Sequence, residues 1–167
     1  EESRTGLLEC VLTAPVTDAA VVTGKFLAAL TFMGLLWASV FVYAYATQSV
    51  GPAADWGIVV GGWCGATLCS GLFCAIGLFT SSLTSVPVAA ALSATVLNIG
   101  LVVLPLLAGL SDAPWVLRVV RRVHVLDHLQ NSFLFGVFDT AYVVFFAAWT
   151  AFFLFLAVRV VESRRWR

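Results

Sequence analysis

The chain has 167 residues, of which 61% are hydrophobic and only 11% are charged, and its mean hydropathy is +1.01. A water-soluble domain of this size carries roughly 25% charged residues, so this composition cannot clothe a water-facing surface and places the chain among integral membrane proteins. Nine basic and nine acidic residues leave no net charge, and nothing in that balance points to nucleic acid or an acidic substrate.

Residues 1–25 are half polar. Leu7, Leu8, Val11 and Leu12 make one apolar stripe with Glu9 off it, Pro15 interrupts the pattern, and Thr17-Asp18 reads as a fresh helix start. The expectation is a short helix on the cytoplasmic surface, joined through a turn and Gly24-Lys25 to a membrane helix. The basic start, short apolar core and small-residue cleavage site of an export signal are not seen in Glu1 to Thr5. With no initiator Met either, the sequence reads as a piece of a longer protein.

The first expected span is 26–47, a run of 22 uncharged residues, enough to cross a ~30 Å hydrocarbon core. A polar break, "QSVGPAADWG", follows. From Trp56 to Ser111 there is no charged residue at all, about twice the length of one span. This run must therefore fold back, and "TSSLTSVP", Thr80 to Pro87, is the place for the turn, with Pro87 suited to the first turn of the next helix. Spans at 58–79 and 88–109 result.

The first of these two is dense in small residues. Gly57, Gly61, Gly65 and Cys69 recur every four residues, and Gly62, Ala66, Ser70 and Cys74 form an adjacent stripe. Such stripes let helix backbones approach closely, which promotes association where lipid removes the hydrophobic incentive. They fit either packing within one bundle or a moving or dimer-forming surface. Cys64, Cys69 and Cys74 recur every five residues, turning about 140° each time on a helix, so they read as small packing residues and not as metal ligands. In the second, Asn98 is the one strongly polar side chain near mid-span, and an unpaired amide in hydrocarbon is costly. It is expected either to hydrogen-bond a neighbouring helix or to stand on a substrate path. Pro105 is expected to bend or end this span.

The segment 111–139 carries "APWVLRVVRRVHVLDHL", in which Arg118, Arg121 and Arg122 share one helical face and Val116, Val119, Val120 and Val123 another. That is the pattern of an amphipathic helix lying in the interface. "SFLFGVF" after it is too short to cross and reads as an interfacial or re-entrant piece. The last span, 140–161, opens with 19 uncharged residues and leads into a basic tail, 162–167. Four spans put both ends of the chain on one side. Arg4, Lys25, Arg159, Arg164, Arg165 and Arg167 flank that side, against Arg118, Arg121 and Arg122 on the other, which favours cytoplasmic termini.

Catalytic constellations are thin. His124-x-x-Asp127-His128 has a zinc-like spacing, but Val125 stands where a metalloprotease helix places its glutamate. Ser81, Ser82 and Thr84 have no histidine or acid near them in sequence. A phosphate-cradling glycine loop is also lacking, so ATP chemistry would belong to another chain. Neither a catalytic residue, a metal nor a cofactor is assigned.

One ordered set of motifs is familiar. Glu1-Glu2, then Gly6, Glu9, Leu12-Thr13 and Pro15-Val16, then "GKFLAAL" from Gly24, then "AIGLFTSSLTS" from Ala75, "HLQNSFLFGVFDTAYV" from His128 and "VESRRWR" from Val161 together resemble ABC-2 type transporter permeases. Among these, the gliding-motility-associated permease family is the most similar. The resemblance implies an all-α integral membrane protein in which the opening segment is a coupling helix seated on a separate ATPase subunit. Glu1, Glu2, Gly6, Glu9, Pro15 and Val16 would then be the coupling residues, and 111–139 the extracytoplasmic helices. It implies six spans where four are legible, hence two more before Glu1. It further implies a second permease subunit, homo- or heterodimeric, a bacterial inner-membrane location, and export by alternating access. A non-transporting membrane anchor or assembly module, and a membrane enzyme built on His124 and His128, are the alternative readings.

Overall fold

The computed structural model describes residues 17–51, 54–108 and 140–165, with side chains through Val103 in the second stretch and Ser163 in the third. Five helices make up almost all of it: α1 (Asp18–Trp37), α2 (Ser39–Gln48), α3 (Trp56–Leu83), α4 (Pro87–Ala108) and α5 (Thr140–Arg165). There is no strand among the described residues.

Local chemistry sets most of the helix ends. The Thr17 hydroxyl accepts the Ala20 N–H at 3.3 Å as an N-cap, and Asp18 places a negative charge in the first turn, where the helix dipole favours it. Asp55 caps α3 by accepting the Gly57 N–H at 2.9 Å. Thr84 takes extended backbone and ends α3. Pro87 then opens α4, where its missing N–H costs nothing. The chain therefore turns at Thr84–Val86.

Among the described residues, three stretches are long and apolar enough to cross a membrane: Asp18–Gln48 (31 residues, α1 with α2), Trp56–Leu83 (28) and Thr140–Ser163 (24). Of the four expected spans, three thus have crossing length. The remaining one corresponds to α4, a helix of 22 residues whose apolar described stretch, Pro87–Val103, is shorter. The first long helix begins at Asp18, at the start read from Thr17-Asp18, and runs through Gly24-Lys25 into the apolar run from residue 26. Pro105 lies in the last turn of α4 as described, three residues before Ala108. The expected segments 1–16 and 111–139 lie outside the described residues.

α3 is the hub, packing most extensively on α5, then on α1 and α4. Side-chain pairs give the directions. Phe146 of α5 is buried with Leu72, and Phe153 meets Phe79 at 6.0 Å between ring centroids, so both helices advance together and are parallel. Phe26 and Leu30 of α1 face Gly71, while Trp63 reaches Gly34 and Phe41, so α1 runs antiparallel to α3. After a three-residue turn, α4 returns along α3 until Leu101 meets the cluster around Cys69 and Leu72. The start of α1, the Thr84–Val86 turn and the end of α5 consequently share one end of the bundle.

The core is small and lies where α3 meets α5: Cys69, Leu72, Ile76 and Phe146 are buried, with Leu68, Phe73, Tyr142, Val143, Phe145, Trp149 and Phe153 packed round them. Leu27, Leu35, Val42, Leu92, Val96, Phe152 and other large apolar residues are exposed on the outside. That inversion of a soluble protein is what a lipid solvent permits. Tyr43, Tyr45 and Trp56 are exposed near the α2–α3 end, suited to a headgroup belt.

Candidate functional site

α3 presents a different chemistry to each neighbour, and these seams are where the chain's polar and small residues converge. Gly61, Gly65 and Cys69 are buried along one stripe, which continues through Leu72, Ile76 and Thr80. Their spacing of three and four keeps them on one side of the helix. Gly57 lies off this seam: it is exposed, and a Cβ there would meet the Asp55 carboxylate at 3.1 Å. Its backbone N–H is the donor that Asp55 accepts. Gly62, Ala66, Ser70 and Cys74 of the adjacent stripe are half-buried.

Toward α1 the seam is close and hydrogen-bonded. A Cβ on Gly71 would come within 3.1 Å of Leu30 Cδ1 and 3.8 Å of Phe26 Cζ, so the missing side chain is what lets α1 lie against α3. Higher along the same seam Trp63 donates its indole N–H to the Gly34 carbonyl at 3.0 Å, and Trp37 donates to the Ser70 hydroxyl at 2.9 Å. Each bond joins α1 to α3. Thr80, almost fully buried, needs no interhelical partner, because its hydroxyl lies 3.1 Å from the Ile76 carbonyl and 3.0 Å from that of Gly77.

Toward α5 the seam is aromatic. Phe146 is fully buried, Trp149 stacks on Phe153 at 6.1 Å, and Phe145 meets Phe146 edge-on at 5.5 Å. At its far end, Arg159 lies 5.0 Å over the Phe155 ring and bonds Glu162 at 3.1 Å, holding its charge at the end of the apolar stretch.

Toward α4 the seam is less deeply buried. Ala90, Ala94, Asn98 and Leu101 are half-buried at helical spacing, and none of the described α4 side chains is fully buried. Asn98 Oδ1 is itself shut off from solvent and accepts no hydrogen bond from the described residues. The expected bond to a neighbouring helix is therefore not made by this oxygen.

Among the described residues no group of three His, Cys, Asp or Glu could hold a metal ion. Cys64, Cys69 and Cys74 are free thiols. Glu1, Glu2, Gly6, Glu9, Pro15 and Val16 lie outside the described residues, as do Arg118, Arg121, Arg122, His124, Asp127 and His128. Sequence reasoning overlooked Gly34, Trp37, Trp63 and Gly71. The two tryptophans did carry a signal, since an indole N–H within an apolar run has to find an acceptor.

The arrangement joins membrane helices along one central helix and offers no paired nucleophile and base among its described residues. Comparison with protein-family models, with curated proteins and with solved structures found no match.

Proposed function

We propose that the chain is the transmembrane permease subunit, or part of the permease subunit, of an ABC-2 type ATP-driven transporter. It would work with a separate ATPase subunit and a second permease subunit in a bacterial inner membrane. Besides the ordered motifs, one observation carries the reading. α1 starts at a capped Thr17, directly after the Pro15-Val16 pair, and runs as one unbroken helix from Asp18 to Trp37 within an apolar stretch of membrane-crossing length. A force applied to the residues before Thr17 would thus be delivered to a rod set in the bilayer.

In this reading α4 is a fourth span, both ends of the chain are cytoplasmic, and 111–139 faces outward. ATP binding in the partner moves the coupling segment, α1 tilts, and its close seam with α3 transmits the tilt to α5. A ligand-driven switch needs contacts that differ between its two states. Glu1, Glu2 and Glu9 supply some of them against basic residues of the ATPase, and Asn98 stands on the path of an exported substrate.

Reversing one of these charges tests the proposal. Glu9→Lys is expected to lower the transport-coupled ATPase rate of the reconstituted complex about tenfold, equivalent to about 1.4 kcal/mol. An unchanged rate sinks the coupling role. Failure of any nucleotide-binding subunit to co-purify with the chain favours a membrane anchor instead.

A further inference from the structure

The long first span is not one helix. It breaks at Ala38, between α1 and α2, although no proline or glycine stands at the break. The Phe41 N–H bonds the Ala38 carbonyl only three residues back, at 3.1 Å, where a regular α-helix reaches back four. Trp63 of α3 reaches the helix one turn before this point. Its indole N–H approaches the Gly34 carbonyl at 3.0 Å, and that same oxygen already accepts the Ala38 N–H at 3.0 Å. One acceptor serves two donors at the position where the helix fails.

The two sides of the break are held unequally. On the α1 side, Trp37 is bonded to Ser70, and Gly71 admits Leu30 and Phe26 at close range. On the α2 side packing against α3 is slight, Ala44 is the one buried residue, and Val42, Tyr43 and Tyr45 are all about 70% exposed. What reaches across is again Trp63, whose ring lies 5.7 Å from that of Phe41. One side chain therefore bonds the backbone before the break and packs on the segment after it.

We propose that Ala38 is a hinge within the first membrane span and that Trp63 is its latch, with α1 fixed to α3 and α2 free to swing when the latch is released. Hinges are a few residues at element ends that absorb a backbone change while rigid pieces move. The inference rests on contacts within the bundle and stands whether or not the chain is a transporter subunit.

The test uses the full chain in lipid nanodiscs, with Cys10, Cys64, Cys69 and Cys74 replaced by alanine and spin labels introduced in pairs at exposed sites. Tyr45 with Leu83 spans the hinge; Leu27 with Ile58 lies across the α1–α3 seam and serves as reference. Trp63→Phe keeps the ring and deletes the donor. It is expected to broaden the Tyr45–Leu83 distance distribution about twofold, while Leu27–Ile58 stays as narrow as in the parent. Equal widths for variant and parent at both pairs mean a fixed bend and overturn the proposal. Broadening of both pairs alike means general loss of packing and overturns it too. If Trp63→Phe does not fold, Phe41→Ala removes the contact beyond the break and is read against the same two pairs, with the same expectation and the same refutations.

Discussion

α3 has two kinds of seam. Against α5 and α1 it buries Leu72, Ile76 and Phe146 and admits Leu30 over Gly71. Against α4 it meets small, half-buried residues and an amide oxygen with no donor among the described residues. The difference cannot come from hydrophobicity, because both seams are apolar and both compete with lipid. It comes from fit, since in a bilayer close van der Waals packing and interhelical hydrogen bonds are what distinguish a protein neighbour from a lipid one. On that account α1 and α5 make the more deeply buried seams with α3, and α4 the less buried one among the described residues.

The largest way to break this contrast is a cavity in the tight seam. Leu72→Ala empties a site that is 1% exposed and surrounded by Phe146 and Ile76. It is expected to cost about 2–5 kcal/mol, read as a lowered midpoint when helical signal is followed during denaturation from micelles. A loss no greater than that of the same truncation at Leu92, on the exposed face of α4, would erase the distinction.

Overfilling should cost somewhat less. Gly71→Leu drives a side chain into Leu30 and Phe26, which are flexible at their tips, so a penalty of about 1–3 kcal/mol is expected. A specific sign accompanies it: the Trp63 and Trp37 bonds along the same seam should loosen, shifting tryptophan emission. Unchanged stability would mean that α1 does not lie against α3 at Gly71.

What could be read in advance follows from which forces are local. The uncharged run from Trp56 to Ser111 had to fold back, and Ser, Thr and Pro mark the turn that the structure puts at Thr84–Val86. Thr17-Asp18 carries a cap signal in its own side chains. The break at Ala38 was not legible, because no proline or glycine marks it and the contact beside it comes from a tryptophan on another helix. Gly57 and Gly61 look alike in sequence, yet Gly57 is exposed in the first turn of α3 and Gly61 is buried. Pro105 falls in the last turn of α4 as described, near where a proline read from sequence is expected to bend or end a helix.

The smallest expected effect is the sharpest, because its sign is at stake. Replacing a well-paired amide by a leucine of similar size destabilises; replacing an orphaned one does the reverse, since a buried acceptor without a donor costs about 1–3 kcal/mol. With Asn98 Oδ1 buried and unpaired among the described residues, Asn98→Leu should therefore raise the unfolding midpoint, by the equivalent of about 1 kcal/mol. If stability falls instead, the amide has a donor within the folded bundle, and the α4 seam is held by more than small residues. If stability rises but transport in the assembled complex is lost, the oxygen is kept unpaired for a substrate at a fold cost. A rise with transport intact would leave α4 merely loose, and remove Asn98 from the path.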